Sequence, residues 1–309
     1  MTSSDVDATR FPIHRSTLRG FSQAYVREGI GGVPLVLVHG WPESKRIFWR
    51  VIEPLAAAGF EVIVPDLRGF GDSEIGPDGF HDVPSHVRDL YSLVHDGLGH
   101  ERVVLVGGDL GGPVVQDLSL RYPGFTDRMV LFNSPLPYVK EAMAAMRTRP
   151  AVEASDYYRR QGNDADALAA ELTTPAMRQR YVSTFYTSRF WAHPGAFSPE
   201  QVAFHASPFG DAASLRASFG GYESSFHASA RSEPSAMAAP NPTPTLVLFG
   251  TSDHVLYPEF DRMAAVVFPD HVGPFLLRDC GHFVPWEAPH ALISGTVAFC
   301  GHLLAAARH

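Results

Sequence analysis

The chain has only two cysteines, Cys280 and Cys300. That is too few for a disulfide framework, and the pair lacks metal-ligand spacing, so both read as core thiols. No apolar run is long enough to span a membrane, and the amino terminus lacks the charged-then-apolar order of a secretory signal, so the expectation is a cytoplasmic protein. Clusters of Lys and Arg are also missing, and the formal net charge is −8. This excess of acid argues against nucleic acid or an anionic membrane as partner, and its simplest use is solubility. The 15 histidines are scattered, with no His-x-x-x-His pair and no His/Cys cluster, so no metal site is expected. Neither an internal repeat nor a long low-complexity tract is present. What remains is an ordinary globular composition: 309 residues, 45% of them hydrophobic, suffice for one large domain or one domain with an insertion.

Short apolar runs recur at residues 35–38, 62–64, 103–106, 129–132, 246–249 and 275–277. Their Val, Leu and Ile content without alternation predicts strands buried on both faces, as in a mainly parallel sheet. Helix-like stretches at 48–57, 86–98, 113–122, 260–267 and 289–306 supply crossovers, giving a doubly wound α/β architecture. The rhythm breaks once. Between residues 134 and 245 no strand-like run occurs, while Ala-rich and aromatic-rich helical stretches dominate at 139–147 and 165–190. This predicts a helical cap inserted into the sheet order, with core at residues 1–134 and 231–309 and cap at 135–230. Pro240, Pro242 and Pro244 mark the return to the core. The first ten residues, rich in Ser, Asp and Thr, read as a loose tail.

Between the apolar run at 103–106 and the helix-like stretch at 113–122 stands Gly107-Gly108-Asp109-Leu110-Gly111-Gly112. A sharp strand-to-helix turn that holds one reactive side chain above a sheet needs very small neighbours. The segment therefore reads as a nucleophile elbow carrying a carboxylate. Enzymes with Ser at this point attack acyl carbons; a carboxylate suits displacement at a saturated carbon, leaving an alkyl ester on the enzyme. A dinucleotide-binding Gly-x-Gly-x-x-Gly is excluded, because Asp109 stands where the second Gly belongs and would repel a pyrophosphate. No cofactor is expected.

Three further segments complete the constellation. Gly250-Thr251-Ser252-Asp253 follows the run at 246–249, and Cys280-Gly281-His282-Phe283 follows the last predicted strand. Open α/β sheets place their functional loops at such strand ends. An isolated post-strand Asp or His is more often a cap or a satisfied polar group. Asp109, Asp253 and His282 together, however, repeat the nucleophile, acid, His order of the α/β-hydrolase sheet. His39-Gly40-Trp41-Pro42 follows the run at 35–38, and there the Trp41 N–H, with the Leu110 N–H, can form an oxyanion hole. The stretch from Asp66 to Ser73 reads as a turn network bracing this loop.

Taken together, HGWPES, Trp49, DLRGFGDS, GGDLGG, the Gly-Thr-Ser-Asp segment and CGHFVPWEAP resemble the α/β-hydrolase superfamily, specifically its epoxide hydrolase branch with an Asp nucleophile. The resemblance spans about residues 21–132 and 244–309, and is weaker in the cap. It implies a small-molecule epoxide and water as reactants and a cap Tyr pair that activates the epoxide oxygen. Tyr222 matches one position; Tyr157 matches the other, with Tyr158 beside it an alternative in register. In this family the residue after the nucleophile is often Trp and the residue after the cap Tyr commonly Arg; Leu110 and Glu223 stand here. Two other readings share the same residues. A haloalkane or haloacetate dehalogenase would use Asp109 with a halide leaving group, held by Trp41 or Trp191. A non-catalytic small-ligand receptor would keep the hydrolase shape without turnover.

Overall fold

The computed structural model describes residues 3–307. An eight-stranded sheet organises the chain in the order β1-β2-β4-β3-β5-β6-β7-β8. β1 (His14–Leu18) and β2 (Phe21–Glu28) form a hairpin. Its turn residues Arg19 and Gly20 both take left-handed φ values, 55° and 83°, which matches the twist of paired strands. β2 pairs antiparallel with β4 (Phe60–Pro65), and every later pairing is parallel: β4 with β3 (Val33–Val38), then β5 (Val103–Gly107), β6 (Thr126–Phe132), β7 (Thr245–Gly250) and β8 (His271–Leu277). All residues of β4, β5 and β7 are buried, as expected of strands covered on both faces.

The predicted parallel runs all fall in strands, whereas β1 and β2 were not legible as strands. HRSTL carries no continuous apolar run because β1 is a largely exposed edge strand, and FSQAYVRE carries none although β2 behind it is mostly buried, since its buried set includes Gln23. Helix α1 (Ile52–Ala58) connects β3 to β4 and follows a 3-10 turn at Lys45–Phe48; α2 (Val83–Tyr91) connects β4 to β5. The start of α2 lies before the predicted residue 86, since Asp82 caps it by accepting from the Ser85 N–H and Pro84 sits in its first turn. It runs on into a π-helical turn at Ser92–Gly97. Helix α3 (Gly111–Arg121) leads from β5 to β6.

After β6 the chain leaves the sheet for seven helices: α4 (Lys140–Met143), α5 (Val152–Asn163), α6 (Ala165–Glu171), α7 (Pro175–Thr187), α8 (Pro199–Ala206), α9 (Ala212–Ser218) and α10 (Gly220–Phe226). Among the described residues no strand interrupts them. Thr174 caps α7, and Ser198 with Gln201 forms a reciprocal capping box on α8, so both starts are written locally. The chain then returns along the core: the Ser232 N–H donates to Asp82 at 2.6 Å, Glu233 pairs with Arg88 at 2.8 Å, and the Ala236 N–H donates to Asp117 at 2.6 Å. Helix α11 (Phe260–Val267) links β7 to β8. A short α12 (Val284–Glu287) follows β8, and the predicted terminal helix is split at Cys300 into α13 (Pro289–Phe299) and α14 (Gly301–Ala306). Among the described residues no helix is long and apolar enough to cross a membrane, and no group of three metal-capable side chains converges.

The expected loose tail is corrected by its own contacts; residues 1 and 2 of it lie outside the described residues. Ser3–Val6 forms a 3-10 turn, Asp5 pairs with Arg10 and Arg50 at 3.5 and 3.4 Å, and the Trp49 indole donates to the Asp7 carbonyl at 3.0 Å. Phe11 packs edge-on to Trp49 with centroids 5.1 Å apart. A polar composition concealed these anchors because they are long-range and rest on single side chains. Phe11→Ala is therefore expected to cost about 3 kcal/mol in urea unfolding, the usual scale for removing a buried aromatic; a loss under about 0.5 kcal/mol, as for an exposed site, would restore the loose-tail reading.

Candidate active site

Asp109, Asp253, His282 and the Trp41 loop each follow the end of a parallel strand, so the sheet gathers these pieces on one edge. Asp109 follows β5 at φ 45°, a left-handed conformation that costs an ordinary side chain energy and is kept where packing enforces it. The glycines around it are required by space. A Cβ on Gly107 would lie 2.7 Å from the Gly111 carbonyl oxygen; one on Gly108 would run into the Phe132 ring, one on Gly111 into the Val38 carbonyl, and one on Gly112 into the Ser134 hydroxyl. Across the turn, a Cβ on Gly40 would collide with Asp109 itself. The elbow is thus wedged between the ends of β3 and β6.

His282 stands over this carboxylate. Its Nδ1 lies 2.8 Å from Asp253 Oδ2 and its Nε2 lies 3.2 Å from Asp109 Oδ2. The other Asp253 oxygen accepts from the Val255 N–H at 2.7 Å, fixing the carboxylate's orientation. Burial by itself would lower the His282 pKa, but the charge of Asp253 and the hydrogen-bonding and charge contributions of Asp109 outweigh it and raise it well above the ordinary imidazole value. The two flanking carboxyl groups therefore favour the protonated ring.

Sequence reasoning missed three polar groups that hold this geometry. Asn133, just past β6 at φ 35°, donates to Asp253 Oδ2 at 2.8 Å and to the Gly281 carbonyl at 3.1 Å. Its Oδ1 accepts from the Gly250 N–H at 2.8 Å, and its carbonyl accepts from the Asp109 N–H at 2.8 Å. One residue, through its side chain and its carbonyl, thereby ties the Asp109 turn to the loops of Asp253 and His282. Glu287 accepts from the N–H groups of Gly281, Phe283 and His193, bracing the His282 loop. Glu43 accepts from the Gly40 N–H at 2.6 Å; burial, helped by the Asp109 charge, pushes its pKa up to about 7. The only available signal was a motif position, since a buried carboxylate and a surface one look alike in sequence.

The loop after β3 carries the expected backbone donor. The Trp41 N–H donates to Asp109 Oδ1 at 2.7 Å, and Leu110 opens α3, whose first N–H groups have no partner within the helix. His39 accepts from the Leu67 N–H at 3.0 Å and donates through Nδ1 to the Gly40 carbonyl at 2.8 Å. Asp66 accepts from the N–H groups of Lys45 and Asp72, both at 2.8 Å. The segment from Asp66 to Ser73 thus braces the loop, in keeping with its structural reading.

Above the carboxylate lies an aromatic wall from the inserted helices. Tyr157 on α5 stacks with Trp41 at 5.9 Å and meets Trp191 at 4.9 Å, while Tyr222 on α10 stands edge-on to Trp41 at 5.7 Å and to Tyr157 at 5.8 Å. Tyr158 points outward, exposed, packing on Tyr222 and Phe226. Burial first, and then nearby negative charge including that of Asp109, raises the Tyr157 and Tyr222 pKa values well above that of a free phenol, so both hydroxyls stay protonated. Of the two departures from the family pattern, Leu110 lies under Gly221, where a Cβ would come within 3.4 Å of Leu110 Cδ1, and Glu223 is held by both guanidinium nitrogens of Arg216 at 2.7 and 2.8 Å.

With fold and geometry in hand, comparison with known proteins gives a consistent result. The family model for the alpha/beta hydrolase fold matches residues 33–289, and the chain belongs to that family. Among characterised relatives, the soluble epoxide hydrolase of Corynebacterium sp. (strain C12) is 28% identical over 94% of this chain and 98% of its own. Epoxide hydrolase 3 of Mus musculus is 26% identical over 95% of this chain and 77% of its own. A solved epoxide hydrolase without ligand superposes with a TM-score of 0.80 at 25% identity, covering 95% of this chain and 99% of that one.

Two expectations test the site. Because Gly112 has no room for a methyl group beside Ser134, Gly112→Ala is expected to lose about 1–3 kcal/mol in chemical denaturation, and Ser134→Gly in the same chain should recover most of it; strict additivity of the two changes would contradict the close contact. Because Asp109 helps hold the proton on His282, Asp109→Asn should lower the His282 pKa measured by NMR titration, so the ring loses its proton at lower pH. An unchanged or higher pKa would count against the coupling.

Proposed function

We propose that the protein hydrolyses small-molecule epoxides to vicinal diols, with Asp109 as nucleophile. The observation that carries this reading is a protonated phenol pair, Tyr157 and Tyr222, facing a carboxylate that is backed by a histidine. That arrangement supplies an acid to one end of a strained C–O bond and a nucleophile to the other. In the first step an Asp109 oxygen attacks a ring carbon, the C–O bond breaks, and the leaving oxygen takes a proton from a tyrosine. The product is an alkyl ester on Asp109. The proton held by His282 in the resting state then replaces the one lost by the tyrosine.

Forming the ester removes the negative charge that kept His282 protonated. Its pKa falls accordingly, and the ring becomes a base at the moment one is needed. His282, supported by Asp253, takes a proton from water, whose oxygen attacks the ester carbonyl of Asp109. The N–H groups of Trp41 and Leu110 hold the developing oxyanion. Collapse releases the diol and restores the Asp109 carboxylate and the His282 cation, so protons and charges balance. Residues 135–230 act as a lid that carries the acids, and water and substrate are the only reactants. The protein works as a cytoplasmic enzyme, without nucleic acid or membrane as partner.

The dehalogenase reading needs a donor for halide. Of its two candidates, Trp41 is committed elsewhere, since its indole N–H donates to Ser218 Oγ at 3.1 Å, which leaves Trp191. Exposure of His282→Gln protein to terminal epoxides and haloalkanes, followed by intact-mass measurement, discriminates the readings. An added mass equal to the whole epoxide, absent when Asp109 is also changed to Asn, is the expected result. An adduct from haloalkane alone would assign a dehalogenase, and no adduct from either would assign a receptor.

A further inference from the structure

One buried polar side chain near the aromatic wall is not used by this chemistry. Gln161 lies four residues after Tyr157 on α5, so the two share a helix face and stand about 6 Å apart along its axis. Gln161 is completely buried. Its Nε2 donates to Tyr181 Oη at 2.9 Å, but its Oε1 accepts nothing. Tyr181 belongs to the same wall, with its ring 6.4 Å from Trp41, 5.3 Å from Phe185 and 6.5 Å from Phe219. The following residue, Gly162, is pressed against Phe226 and the Tyr222 carbonyl, so α5 cannot rotate to carry the amide away from α10.

A buried amide oxygen without a donor forfeits the hydrogen bond it would make in water, and native structures keep few of them. In a surrounding of aromatic rings it recognises whatever brings a donor. Resting on the epoxide hydrolase reading, we infer that Gln161 and Tyr181 form a polar subsite that selects epoxides carrying a hydroxyl or N–H donor. Plain alkyl epoxides would leave Oε1 unpaired and so bind as poorer substrates. Gln161 is thus a specificity-determining residue, distinct from the acids that activate the ring.

The test compares two substrates of equal chain length, a terminal alkyl epoxide and its ω-hydroxy counterpart, on wild type, Gln161→Leu and the milder Tyr181→Phe, with folding checked by thermal melting. Wild type is expected to favour the hydroxylated substrate in kcat/KM by about 10- to 100-fold, the scale set by leaving one buried acceptor unsatisfied. Gln161→Leu should cut that ratio at least about tenfold, and Tyr181→Phe, which loosens the amide, should cut it less. A ratio near one in wild type, or a ratio unmoved by both substitutions, overturns the subsite while leaving the hydrolase reading intact. Failure of wild type to open either epoxide overturns the hydrolase reading itself, and the subsite with it.

Discussion

The absence of space around Asp109 is the constraint on which the site depends. Gly107, Gly108, Gly111 and Gly112 let the turn close against the neighbouring strand ends, and Gly40 lets the loop after β3 approach the carboxylate itself. Only this closeness brings the Trp41 N–H to 2.7 Å from Asp109 Oδ1. It also lets Asn133 at the end of β6 receive the Asp109 N–H on its carbonyl. A larger side chain at any of these points would move the carboxylate relative to the donors meant for it. The left-handed φ of Asp109 is the local cost of that compression, offset by packing on both sides.

Electrostatics then gives the compressed site its sequence of events. A neutral imidazole would be the normal state of so buried a ring, yet two carboxylates keep His282 charged. Glu43, pushed up to about 7, shows what happens to a carboxyl group with less support. The state of His282 is therefore tied to the charge on Asp109, and any change that neutralised that carboxylate would lower the pKa of the ring.

Much of this was legible in the sequence because the determining features are local. Four glycines around Asp109, post-strand positions for Asp253 and His282, and uninterrupted apolar runs for the parallel strands each report their own environment. The hairpin of β1 and β2 did not, because its polar sequences are ordered by pairing, β1 on β2 and β2 on β4, rather than by an apolar run of their own. Nor did Asn133, Glu43 and Glu287, whose importance comes from what they meet rather than from a pattern. The ambiguity between Tyr157 and Tyr158 is of the same kind. Adjacent helical residues point about 100° apart, and only the packing of α5 decides which one faces Trp41.

The long excursion between β6 and β7 has a consequence for how such a protein can change over generations. Its exit is pinned to α3, where Gln116 Nε2 binds the Pro135 carbonyl at 2.9 Å and Ser134 sits against Gly112. Its return is pinned separately, where Ser232, Glu233 and Ala236 bind Asp82, Arg88 and Asp117. Both moorings belong to the sheet and its flanking helices and neither depends on the helices between them. The segment from α4 to α10 is therefore moored at both ends by the core, but it also reaches into the site, where the Trp191 carbonyl accepts from the His282 N–H and Glu287 accepts from the His193 N–H, so a lineage that remodels its walls has to keep those two contacts.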